Sequence, residues 1–166
     1  MPTPEKRDVS PNLRFVVGSL TNFEQAEDAL DDLLKHSLPK DAISILARQD
    51  LLSHDARAFG VLDRDAASPS EGDLLTSRGK KILCLGRSLN CALQDRAGHG
   101  SKSLKDALQH WLLPRHAGSL SEIVDRGWIL IWAEVHTPEE EHAASLSLLR
   151  NSRGTVEAHD FIAEPV

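Results

Sequence analysis

Two cysteines in 166 residues are too few for a disulfide scaffold, and they do not form the tight pairs of most zinc modules. Cys84 and Cys91 stand seven apart, a helical spacing that reads as two buried thiols in a reducing cytoplasm. No apolar run approaches the ~18 residues of a membrane span. The opening "MPTPEKRDVSPN" has charge and proline but no apolar centre, so residues 1–12 read as a flexible tail rather than a signal peptide. Basic residues show no surplus. A net charge of -6 argues against a nucleic-acid binder and sets the chain against anionic lipid surfaces. Nucleotide loops are missing too. There is no G-x-G-x-x-G or Walker-type loop, "GHGSK" at 98–102 lacks the full spacing, and "GRSLN" around Ser88 is not a G-x-S-x-G nucleophile elbow.

What is present is a diverged internal repeat. "LRFVVGSLTNFEQAEDALDDLLKHSLPKDAISILA" and "GWILIWAEVHTPEEEHAASLSLLRNSRGTVEAHDFIA" each read strand, Thr-capped helix, loop, strand. In the first copy Thr21 and Glu24 form a T-x-x-E capping box. Ala26, Ala29, Leu30, Leu33 and Leu34 follow at helical spacing. Ile43 and Ile45 then alternate with Ser44, as in a strand. In the second copy Thr137 caps, Pro138 takes the first helical position and Glu140 completes the box. Two such units predict an α+β domain over residues 13–166, a ferredoxin-like split βαβ sandwich. Its four-stranded antiparallel sheet would have strands 13–20 and 128–135 at the centre and 42–48 and 155–161 at the edges, with both helices on one face.

Residues 50–126 form a mainly helical insert between the halves. A helix is expected near 82–95, weakened by Gly86. Ser103 is placed to cap a second, carrying Leu104, Leu108, Trp111 and Leu112, which Pro114 ends or kinks. Ser119 and Glu122 form a further capping box, and Gly127 ends that helix.

Three stretches, "FVVGSLTNFEQAEDALDDLLKHSLPKDAISILA", "HWLLPRHAGSLSEIVDRGWILIWAEV" and "EEEHAASLSLLRNSRGTVEAHDF", together resemble a family of small bacterial proteins of unknown function, labelled general-stress or heat-induced stress proteins. The resemblance covers most of residues 13–48 and 110–161. Many members carry a glycine-rich, alanine-rich middle segment, and residues 50–100 here do not. The resemblance implies a fold and a stress association, and it supplies no catalytic residue.

The strand in "GWILIWAEVH" poses the main functional question, because it has no polar face. Ile129, Ile131 and Ala133 suit the helix side; Trp128, Leu130 and Trp132 are a surplus on the other. The chain's own insert, a second subunit or a small molecule would each cover them. In the last case Glu134 and His136, further along the same face, would form the polar end of a pocket. His136, His142 and His159, near Glu134, Glu140 and Asp160, raise a metal site, but zinc needs three or four converging ligands, and strand 13–20 separates His136 from His159. They read instead as surface or capping histidines, with no metal and no cofactor expected. The function expected is a soluble, non-enzymatic, stress-associated protein acting as a homo-oligomer, such as a dimer, or through a protein partner. The alternative is a small-ligand regulatory domain using the Trp128/Trp132 face. A third reading is an enzyme that uses Glu134 and His136.

Overall fold

The two copies of the repeat lie side by side in the computed structural model, which describes residues 13–36, 38–48, 50, 76–77, 79–85, 103–109, 111–152 and 155–161. In chain order the elements are β1 (Leu13–Leu20), α1 (Phe23–Lys35), β2 (Ile43–Arg48), β3 (Thr76–Ser77), β4 (Lys80–Leu85), α2 (Leu104–Gln109), α3 (Pro114–Asp125), β5 (Ile129–Glu134), α4 (Pro138–Asn151) and β6 (Val156–Phe161). The class is α+β, and one antiparallel sheet runs β3-β4-β2-β5-β1-β6. β2 and β5 are central, while β1 lies between β5 and the end strand β6, with Val17 opposite Trp132.

The expected four-stranded ferredoxin-like sandwich is corrected here, since the sheet has six strands. β2 is not an edge, because β4 pairs with it and sets Leu46 opposite Cys84. The helix expected near 82–95 is also corrected over its first residues, which belong to β4; 86–95 lie outside the described residues. Cross-strand pairing overrides a weak helical spacing here. Ile82 and Cys84 alternate onto the buried side of the sheet, and Cys84 is half-buried on a strand rather than on a helix with Cys91, which lies outside the described residues.

Both faces of the sheet are covered. On one, α1 and α4 pack over Val16, Leu20, Ile43, Ile45, Ile129, Ile131 and Ala133. On the other, α2 and α3 from the insert pack over Phe15, Val17, Leu46, Leu130, Trp132 and Phe161. Two-sided burial is why β5 reads as an unbroken apolar run, as strands covered on both faces do. The described part of the insert thus contributes two strands and two helices. α4 sits close to the sheet at Gly18, where an added Cβ would lie 3.1 Å from Leu148 Cδ2 and 3.2 Å from its Cβ. Arg14 ties the layers further. Its Nε donates to Glu141 on α4 at 2.8 Å, and its Nη1 donates to Asp160 on β6 at 2.7 Å.

The helix ends show which local signals decided. α1 is capped by Asn22, whose Oδ1 accepts from the Gln25 N–H at 2.9 Å, while the Gln25 side chain accepts from the Thr21 N–H at 3.1 Å. The box therefore sits one residue beyond the expected Thr21/Glu24 pair, in keeping with asparagine's greater capping strength. Thr137 caps α4, accepting from the Glu140 N–H at 3.0 Å, and the Glu140 carboxylate accepts from the His136 N–H at 2.7 Å. In both copies the third helical residue reaches back to the residue before the cap. Ser103 accepts from the Asp106 N–H at 3.0 Å at the start of α2. The Ser119/Glu122 box does not form. α3 starts at Pro114, whose fixed φ and missing N–H suit a first helical position, and Ser119 falls inside the helix. At its far end Gly127 has φ 91, its N–H donates to Val124 O at 2.9 Å, and the Trp128 N–H donates to Ile123 O at 3.2 Å. That pair of bonds is a Schellman cap, and it turns the chain directly into β5. Among the described residues no helix is long and apolar enough to cross a membrane.

Candidate functional site

The residues singled out around β5 divide sharply. Leu130 and Trp132 are 0% exposed and belong to the core beneath α2 and α3. Trp132 meets Phe15 edge-on at 5.7 Å between ring centroids and Phe161 at 5.8 Å. They line no surface. Trp128 is half-buried at the turn out of α3. Glu134 is half-buried at the end of β5, and the exposed His136 places Nε2 3.4 Å from its Oε2. The pair does meet, at the end of β5, but Leu130 and Trp132, the expected floor of its pocket, are buried in the core. His142 is exposed on α4, in the layer behind the other face.

Polar side chains do converge at the β6 edge. Along β6, Glu157, His159 and Phe161 share the face toward α2 and α3, because strand residues two apart point the same way. Phe161 is core and stacks on Trp111 at 5.1 Å. His159 is 7% exposed and lies beside Phe15 in the register. Glu157 is exposed. His116, on the first turn of α3, sets its ring against that of His159, centroids 5.1 Å apart at 64°. His159 Nε2 lies 3.1 Å from Glu157 Oε1, yet the carboxylate is out of line with the ring N–H, and the atom has no hydrogen-bond partner among the described residues. Burial pushes the His159 imidazole below the ordinary histidine range; the Glu157 charge opposes this, and His116 adds to it.

His116 and Glu157 line a groove of about 260 Å³ between α3 and β6, together with Ser119, Glu122, Arg126 and Thr155. One ligand atom from each of His116, Glu157 and His159 falls within 4.8 Å of the others. The expectation of a surface or capping role is corrected for His159, which is buried because it falls on the inward row of β6. β1 does lie between β5 and β6, so His136 is not its neighbour. The neighbour that reasoning missed is His116. Once α3 is started at Pro114, His116, Leu120 and Ile123 share one helical stripe, and Glu157-x-His159 is a strand pair.

A second depression of about 310 Å³ lies between β3 and α3. Ser77 and Ser121 are buried there, their hydroxyl oxygens 3.2 Å apart, and Ser77 donates to the Asp125 carboxylate. Among the described residues no histidine lines it, so none of them offers these hydroxyls an imidazole base. They tie the outermost strand to the helix above it.

Compared with protein-family models, with curated proteins and with solved structures, the chain matches none.

Proposed function

We propose that this chain is a small-ligand-binding domain whose site is the groove between α3 and β6, in place of the sheet face that carries Trp128 and Trp132. One observation carries the reading. Side chains of both charge signs, with hydroxyls, converge from a helix and an edge strand on a single groove of about 260 Å³. That volume lies below the ~300–1,000 Å³ of pockets for drug-sized molecules. The ligand is therefore a small polar molecule or ion. Glu134 and His136 lie outside the groove.

A purely self-associating role loses its motivating surface, since Leu130 and Trp132 are covered by the chain itself. The stress association implied by the family resemblance, and the cytoplasmic setting expected from the two thiols, are compatible with a ligand-binding role and add no residue to the site. Amide and imidazole NMR, read while small polar metabolites are added one at a time, tests the reading. At least one compound should shift His116, Ser119, Thr155 and Glu157 together. If none moves them, or if shifts cluster at Trp128 and Glu134 instead, the groove is not the site.

A further inference from the structure

We propose that His116, Glu157 and His159 bind one divalent transition-metal ion, with zinc the best match. Two imidazoles and one carboxylate are a borderline-soft donor set. Such a set suits zinc and its neighbours and not calcium or magnesium, which take oxygen. The spacing fits as well. Two ligand atoms at ~2.0–2.1 Å from a tetrahedral ion stand about 3.3 Å apart. His159 Nε2 and Glu157 Oε1 are already 3.1 Å apart, and the three ligand atoms all lie within 4.8 Å of one another, a gap that a small rotation of the more exposed His116 closes.

The second observation is His159 itself. It is a buried ring, 7% exposed, with Nε2 aimed at the cluster and left without a hydrogen bond among the described residues. Buried polar atoms are nearly always satisfied, and an orphan beside two other ligand groups calls for an explanation. A metal ion supplies one. It accepts the Nε2 lone pair and removes the misalignment with Glu157, which is awkward for a hydrogen bond but natural for two ligands pointing at a common centre. The scaffold is also firm. Glu157 and His159 are fixed by the β1–β6 ladder, and His116 by the first turn of a twelve-residue helix. Three protein ligands leave a fourth position for water or a ligand atom. Because His116 and Glu157 line the groove, that position faces it. This last step rests on the groove being a ligand site; the metal site itself does not.

The test is calorimetric titration of the chelator-stripped full chain with zinc chloride. One ion per chain is expected, with a dissociation constant of about a micromolar or tighter. His116→Ala and Glu157→Ala should each weaken binding roughly tenfold or more. Both residues are partly exposed, so both variants should keep the wild-type far-ultraviolet circular dichroism. His142→Ala, on the other layer, should bind zinc as wild type does. Absence of stoichiometric zinc uptake by the wild-type chain overturns the proposal, as does wild-type affinity in folded His116→Ala and Glu157→Ala. If zinc binds with the expected losses and no small molecule moves the groove resonances, the metal site stands and the groove reading falls. If a small molecule binds the groove and zinc does not, the reverse holds.

Discussion

Truncating Trp132 to alanine separates a core role from an interface role more cleanly than any other single change. The side chain is fully buried, flanked by Phe15 and Phe161, under the helices of the insert. Truncation of a buried aromatic costs about 3–5 kcal/mol, from lost burial and from the cavity left behind. For a chain of this length, 1 kcal/mol is worth roughly 2–4 °C, so Tm should fall by roughly 6–20 °C. Trp132→Phe should lose less than half as much. It keeps most of the ring and deletes an indole N–H that is buried without a hydrogen-bond partner among the described residues, a burden of about 1–3 kcal/mol in the native state. Urea denaturation followed by circular dichroism, at two protein concentrations a hundredfold apart, gives the measurement. A core role makes the loss the same at both. A loss below about 1 kcal/mol, or one that changes with concentration as a subunit interface requires, would refute the claim that the chain covers its own second sheet face.

Gly18→Ala should destabilise by about 1–3 kcal/mol by overpacking. The new Cβ meets three Leu148 side-chain atoms at 3.1–3.3 Å, including the Leu148 Cβ, so trimming Leu148 restores only part of the loss in a double-mutant cycle. Asn22→Ala and Thr137→Ala should each cost about 1 kcal/mol in urea denaturation, whereas Thr21→Ala, at the position expected to cap α1, should cost clearly less than Asn22→Ala. Stability should decline in acid. Hydrogen bonds from Arg150 to Asp32 and from Arg14 to Glu141 hold both carboxyls below their usual range, so the unfolded chain takes up protons first as pH falls. Their contribution is complete above about pH 5 and is lost as pH drops through the lowered native values; Asp32→Asn should flatten that acid limb, and added salt should weaken it. His159→Leu should leave stability unchanged or raise it by about 1 kcal/mol, since no hydrogen bond to Nε2 is lost, while abolishing zinc uptake; a large destabilisation instead would assign His159 a purely structural role.

Much of the fold was legible because it is written in local pattern. Thr137 and Pro138 announce α4, Ser103 announces α2, and the unbroken apolar run of β5 announces burial on both faces. What was not legible depended on partners distant in the chain. β4 opens on two exposed lysines and then reads as the short apolar run Ile82–Leu85, with no clear period, and it becomes a strand because β2 offers Ile45–Arg48 to pair with. β3 is two residues long and has no periodicity to read. The metal cluster needs α3 laid over the β6 edge, which brings His116 to residues some forty positions later. Reading Pro114 as a helix ender hid this, because it took His116 off the stripe that faces β6.

The position of the cluster follows from how the insert covers the sheet. The inward row of β6 grades from Phe161, 0% exposed and stacked on Trp111, through His159 at 7%, to Glu157 in solvent. Among the described residues no strand lies beyond β6, and the groove between α3 and β6 opens along that side. Polar groups at that border are cheap at the Glu157 end and costly at the Phe161 end. A histidine half-way along, buried but beside the border, is the one position in the row where an imidazole can be desolvated by the core and still reach groups that a solute can approach. A polar side chain placed there for packing alone would be expected to turn its nitrogen to a backbone carbonyl. His159 turns it toward His116 and Glu157 instead.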